Sequence, residues 1–293
     1  MRILVTGTSG HVGGAIAILL QECGHDVVGV SRSRSSMLPP SIRQCSIDIG
    51  ACDALKVLLK IGPVDAVVHA AAAIDNTVGI TEIMRTNCLG TAQVLEATRK
   101  LGATCFLYIS SLSVLGKPVL HPVTEEHPLA PPTPYAVSKL TGERLALFVS
   151  DSLRTLAFRI SSPVGPSLRQ GRIFHTFVRN AKGNAPLLVN GTGGRCQDYV
   201  DVRDIARVSL RALESDCQGI YNIGSGKAVS NLDLAKKCIA TLRSSSEIIM
   251  TGKVDPDDEV CWDLSITKAA TDLGYRPEFP LERSMLDLSA EIS

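Results

Sequence analysis

What this chain lacks narrows its identity first. None of its 293 residues fall in an apolar run approaching the ~20 residues that cross a bilayer, so a helical membrane span is not expected. The start, MRILVTGTSG, passes from a short apolar run straight into glycines. It has neither the longer apolar segment nor the small-residue cleavage site of a secretory signal, and a cytoplasmic location is expected. An excess of one charge is also missing: 30 Lys and Arg stand against 29 Asp and Glu, for a net charge of +1. Nothing electrostatic therefore points to nucleic acid or another polyanion as partner. The nine cysteines (23, 45, 52, 88, 105, 196, 217, 238 and 261) are scattered, odd in number and never form C-x-x-C. Inert thiols are expected, with no disulfide framework and no metal site. Internal repeats and low-complexity segments are absent too. What remains is a chain 45% hydrophobic and 20% charged, long enough for one large domain or two small ones sharing a core.

The hydrophobic period alternates through the first half. Apolar runs of strand length stand at 3–5, 26–30, 66–70, 105–110 and 155–160. Between them lie helically patterned stretches: HVGGAIAILLQECG, DALKVLLKIG, EIMRTNCLGTAQVLEATRKLG and YAVSKLTGERLALFVS. Continuous apolar strands separated by helices predict an α/β fold, a doubly wound parallel sheet covered on both faces. Gly24, Gly62 and Gly102 stand where helices should stop. After about residue 166 glycine and proline become frequent and the alternation loosens. The expected division is a dinucleotide-binding domain over 1–166, with 199–224 returning to it. A small substrate-binding lobe would comprise 167–198 and 225–293.

Residues 6–13, TGTSGHVG, carry Gly7, Gly10 and Gly13 between the first strand and the first helix. Glycine lets backbone approach a pyrophosphate, and the free N–H groups of a helix N-terminus stabilise its charge. The loop, Gly7, Thr8, Ser9, Gly10, His11, Val12 and Gly13, is therefore a candidate dinucleotide cradle. The second strand ends in Ser31-Arg32-Ser33-Arg34, with no acid to hold a ribose 2′-hydroxyl. Ser31, Arg32 and Arg34 suit a 2′-phosphate, so NADP is expected, with NAD the alternative. Farther on, Tyr135 and Lys139 in PYAVSKL lie four apart, on one helix face. Such a pair recurs by chance, and its meaning depends on the rest of the chain.

Taken together, TGTSGHVGG, HAAA (69–72), NCLGTAQVLEA, YISSLSVLG, YAVSK, RISSPVGP, QDYVDVRDIA and YNIGSGKAVS resemble the extended short-chain dehydrogenase/reductases, in particular the NAD(P)-dependent epimerase/dehydratase family. The likeness covers nearly the whole chain. It implies Tyr135 as general acid/base at a substrate oxygen and Lys139 as the group that lowers the tyrosine pKa. Ser111 would bond the same oxygen, with Ser113 a further substrate contact. It also implies Asp48 and Ile49 near the adenine and Ala70, Ala71 and Ala72 along the cleft. Asn87 would lie near the active site, and Pro163 and Val164 near the nicotinamide. His69 reads as structural. The implied substrate is a nucleotide-sugar, and a homodimer would form through the helices around 87–101 and 135–149.

Departures fall in the substrate lobe. Leu115 replaces a common Tyr, and Gln197 stands where an Arg often grips phosphates. Arg195 is a candidate substitute, and Trp262 is either a base-stacking or a packing residue. Three readings remain open. One is a nucleotide-sugar epimerase or 4-ketoreductase, with the two arginines tilting towards the reductase. The others are an NADPH-dependent reductase of a small carbonyl and a non-catalytic nucleotide sensor.

Overall fold

The computed structural model describes residues 1–74 and 78–292. From the N-terminus, β1 (Arg2–Thr6) leads into α1 (His11–Glu22), followed by β2 (Asp26–Ser31) and β3 (Arg43–Ser46). Then come α2 (Ala54–Leu58), β4 (Ala66–His69), α3 (Ile80–Met84), α4 (Gly90–Lys100), β5 (Cys105–Ser111), α5 (Pro134–Phe148) and β6 (Arg154–Ile160). The second half holds β7 (Ser162–Val164), α6 (Ile173–Lys182), β8 (Leu187–Val189), β9 (Cys196–Asp201), α7 (Val202–Glu214) and β10 (Gly219–Ile223). It closes with β11 (Ala228–Ser230), α8 (Asn231–Leu242), β12 (Ile248–Met250), α9 (Thr267–Leu273) and α10 (Leu281–Glu291).

Seven strands form one parallel sheet in the order β10-β6-β5-β4-β1-β2-β3. Successive residues of a strand face opposite ways. Ile3 and Val5 of β1 accordingly join a core with Ile16, Leu20, Ile205 and Val208 of α1 and α7. Leu4 joins the opposite one, with Leu58, Val94 and Ala146 from α2, α4 and α5. Both faces are dry, so these strands read as unbroken apolar runs. β3 escaped the sequence reading because its residues, RQCS, sit half-buried or exposed at the sheet edge. Gly24, Gly62 and Gly102 have φ of +83°, +85° and +80°, the left-handed region that ends a helix cheaply only for glycine.

The chain runs outward from β1 to β3, then crosses back to β4 on the other side of β1. This reversal opens a crevice at the carboxyl ends of β1 and β4. Of residues 199–224, α7 covers the large sheet and β10 extends it, while 199–201 lie in β9 and pair with β7, the preceding residues 196–198 pairing with β11. A third core, with Phe174, Phe177, Leu187, Leu234 and Met285, gathers α6, α8 and α10 around the short strands. Among the described residues no helix is long and apolar enough to cross a membrane.

Candidate active site

The glycine loop is shaped by close backbone approach. Gly7 has φ +77°, and a Cβ there would lie 2.6 Å from the Ala71 nitrogen. A Cβ on Gly13 would lie 2.4 Å from the Gly7 carbonyl oxygen. Gly10 is the N-cap of α1 and supplies no side-chain cap, and the first turn holds no acid. The helix start thus keeps its positive end and free N–H groups facing the crevice, as an anion requires. His11 is tied by its Nε2 to the Pro166 carbonyl at 2.9 Å, and burial lowers its pKa to about 4. Thr8 is buried with its hydroxyl unpartnered. This cradle fits a dinucleotide pyrophosphate.

At the end of β2 the Ser31 hydroxyl donates to the Ser33 carbonyl, and Arg32 and Arg34 are exposed. Arg32 is not free: Glu82 of α3 lies 3.8 Å away. Glu82 in turn accepts from Arg85 at 2.8 and 2.9 Å, and Arg85 pairs with Asp48 at 2.9 Å. Asp48 also accepts from the Gly50 amide. The side chain of Ile49 is buried against Gly90, where a Cβ would come within 2.9 Å of it.

β4 ends at His69, fully buried between two hydroxyls: Thr6 Oγ1 at 2.6 Å and Thr91 Oγ1 at 2.9 Å. Burial drives its pKa down to about 3, which holds it neutral and structural. Ala70 and Ala71 are the residues that Gly7 approaches, and Ala72 follows, half-buried. Asn87 falls in a π-helical turn, Arg85–Leu89, that joins α3 to α4. Its carbonyl accepts from Thr91 Oγ1 at 2.6 Å. Its side-chain amide clasps the backbone of Ala73 (2.7 and 3.0 Å) and donates to Ser138 Oγ at 2.9 Å. One residue thereby ties the β4 loop to α5.

Ser111 ends β5 and accepts from the Ser113 amide at 3.2 Å, while the Ser113 hydroxyl is buried and unpartnered. α5 begins at Pro134 behind a Thr133 cap. This puts Tyr135 on its first turn and Lys139 one turn on. Burial pushes the Tyr135 hydroxyl up, opposed first by the Ser111 hydroxyl and then by the charge of Arg172. Lys139 is 2% exposed. Its amine donates to the Ile109 carbonyl and lies 4.3 Å from the centre of the Tyr108 ring. Its amine is turned to β5, and Ser111 and Arg172 are the groups that favour the phenolate. Burial brings Lys139 itself down to about 7, opposed by Glu143.

Glu143 and Arg159 were not singled out from the sequence. They form a fully buried bidentate pair at 2.9 and 3.0 Å, and Ser110 adds its hydroxyl at 2.6 Å. The signal was there: one arginine inside the apolar strand TLAFRI needs a buried partner. Ser110 is thus structural.

Beyond β5 and β6 lies a cavity of about 510 Å³, lined in part by Ser162, Pro163, Val164, Arg172, Arg195, Gln197, Tyr199 and Asp255. Arg195 faces Asp255 at 3.9 Å and Asp257 at 3.4 Å. Trp262 is half-buried against the cluster of Leu112, Val114, Leu115, Val123 and Leu264. Leu115 is fully buried in that cluster. No set of three or more His, Cys, Asp or Glu is placed to hold a metal among the described residues.

The chain is 28% identical over 296 residues to a dTDP-glucose 4,6-dehydratase of Streptomyces niveus, covering 94% of this chain and 88% of that protein. A UDP-glucuronic acid 4-epimerase of Bacillus cereus, solved with UDP-glucuronic acid and NAD, superposes with a TM-score of 0.85 at 27% identity, covering 100% of this chain and 99% of that one. A UDP-glucose 4-epimerase of Thermotoga maritima, solved with UDP-glucose, shares the fold with a TM-score of 0.89 at 24% identity, covering 100% and 98%. The profile of the NAD dependent epimerase/dehydratase family matches residues 3–224, and the chain belongs to that family.

Proposed function

We propose that the protein is a nucleotide-sugar epimerase or 4-ketoreductase that works at one sugar carbon bearing a hydroxyl or keto oxygen. The observation that carries this reading is the convergence on one crevice of a dinucleotide cradle, Ser111 at the end of β5, and Tyr135 and Lys139 on α5. A nicotinamide cofactor bound there would supply hydride acceptance and return at that carbon. Tyr135 gives or takes the proton of the oxygen, and Ser111 orients that oxygen and favours the phenolate. Gly7, Gly10 and Gly13 would admit the pyrophosphate, Asn87 fixes the β4 loop, and the lobe of 167–198 and 225–293 would hold the substrate.

For the cofactor, Arg32 and Arg34 without an acid at the end of β2 support NADP. NAD is the second reading, favoured by the NAD bound to the Bacillus cereus epimerase and by Glu82 beside Arg32. A homodimer through α4 and α5 is supported by the exposed apolar side chains of Leu89 and Val137 at that surface. The test of the reading is Tyr135→Phe assayed against UDP- and dTDP-sugars. Turnover should fall by about 100-fold or more while cofactor affinity stays within about twofold. Unchanged turnover would overturn the assignment.

A further inference from the structure

The cysteines are scattered along the chain, yet the fold sets two of them side by side. Cys196 opens β9, and Cys261 lies in the irregular strap of residues 251–263 between β12 and α9. The two residues pair in parallel register as an isolated bridge. The Cys196 amide donates to the Val260 carbonyl at 2.8 Å, and the Trp262 amide donates to the Cys196 carbonyl at 3.3 Å. Paired residues on neighbouring strands stand about 4.8 Å apart and present their side chains to the same face. That spacing falls within the Cα separation of a disulfide, about 4.4–6.8 Å. Both thiols are free and half-buried. They also sense each other: burial, and next the Cys196 thiol, push the Cys261 thiol up to about 11. The Cys196 thiol donates to the Gly194 carbonyl at 3.2 Å, and a change of side-chain rotamer frees it.

We propose that Cys196 and Cys261 form a redox modification site, in which a reversible disulfide ties the strap to β9 and fixes one wall of the large cavity. The oxidant is a low-molecular-weight disulfide. One thiolate of the pair attacks a sulfur of that disulfide, and a small thiolate leaves with the electron pair of the broken S–S bond. The second protein thiolate then attacks the mixed disulfide and expels the other small thiolate. Two protein thiols give up two electrons and two protons, and the small disulfide is reduced to two thiols. In a reducing compartment such a bond is transient, as redox-sensing disulfides are.

The position gives the bond its consequence. Alternate residues of a strand face opposite ways, and Gln197 and Tyr199 of β9 line the cavity, so Cys196 faces away from it. The disulfide therefore forms without filling the cavity, whatever substrate the cavity takes. Val254, Asp255 and Pro256 of the strap line the same cavity. Without the bond the strap is held by partly exposed contacts. Lys117 pairs with Asp257 at 2.7 Å, and Asp258 accepts from the Thr192 and Gly194 amides at 2.6 and 3.0 Å. Contacts of this kind are individually weak, and a covalent link to β9 adds a restraint they do not supply.

The test exposes the full-length protein to oxidised glutathione or to dithiothreitol, followed by alkylation in denaturant, digestion and mass spectrometry. Oxidation should yield a peptide pair joined through Cys196 and Cys261, and dithiothreitol should return both as alkylated thiols. Recovery of the two as separate thiols, or as two separate glutathione adducts, overturns the proposal. So does a joined pair that forms only when the oxidant is added in urea. A second readout is the rate at which trypsin cuts the native protein after the exposed Lys253 of the strap. It should fall by about fivefold or more in the linked protein and stay unchanged by oxidation in Cys261→Ser, whose folding is checked by circular dichroism. Equal cleavage of linked and reduced protein overturns the claim that the bond fixes the wall.

Discussion

Lys139 carries a pH dependence that can be measured without knowing the substrate. It is 2% exposed, and burial takes its pKa from 10.5 to about 7. The folded protein therefore sheds this proton near pH 7, whereas the unfolded chain keeps it until about pH 10.5. Across that window the unfolded state binds more protons, and stability rises with pH. Each pKa unit is worth about 1.4 kcal/mol, so the full window amounts to about 5 kcal/mol. Other groups run the opposite way. Cys238 is pushed up to about 12 and Tyr108 well above the ordinary tyrosine value, and both cost stability as the solution becomes alkaline. Comparing Lys139→Met with the unaltered chain cancels them. Urea unfolding at intervals between pH 6.5 and 10 should find the variant relatively most stable at the acid end. That advantage should shrink by about 1.4 kcal/mol per pH unit above 7. A difference that stays flat from pH 7 to 10 would refute the reasoning, because the lysine would then be equally charged in both states.

Other expectations follow from the site's geometry. Glu82→Gln should release Arg32 and tighten NADPH binding by up to about fivefold with NADH unchanged, read by nicotinamide fluorescence. Equal effects on both cofactors would remove Arg32 from the 2′-position. Gly13→Ala places a Cβ 2.4 Å from the Gly7 carbonyl and should weaken cofactor binding by about tenfold or more. Gly79→Ala, whose Cβ meets nothing within 4 Å, is the control that should bind normally. Val137→Glu puts a charge on the proposed α4–α5 contact and should yield monomers in sedimentation velocity, whereas an unchanged sedimentation coefficient would place any dimer elsewhere.

Legibility followed burial. β1, β2, β4, β5 and β6 were readable because two covered faces make every position apolar, and a run such as ILV or CFLYIS has few other uses. β3 was not, because an edge strand needs no such run. In the small lobe several strands are three residues long and leave no period to read. Within the site, Tyr135 and Lys139 could be read because their relation is local to one helix. The fate of Arg195 could not, because the carboxylates that occupy it lie some 60 residues on, at Asp255 and Asp257.

The two ends of the crevice are held by different physics, and that difference suggests how one family comes to serve several reactions. Around Tyr135 and Lys139 the framework is a dry network. Glu143 and Arg159 are 1% and 2% exposed, Ser110 closes on the pair, and Arg159 reaches on to the Glu125 carbonyl at 2.9 Å. Such a pair is costly to break from one side, because the survivor is left as a buried lone charge. Change there is strongly opposed, and the reacting groups on β5 and α5 keep their places. At the substrate end the pairs are partly wet. Arg195 is 36% exposed, and Asp257 divides itself between Arg195 and Lys117. Pairs of that kind are worth little individually and can be exchanged at small cost. Charges in the lobe can therefore be traded at small cost, while the groups on β5 and α5 beneath it stay fixed.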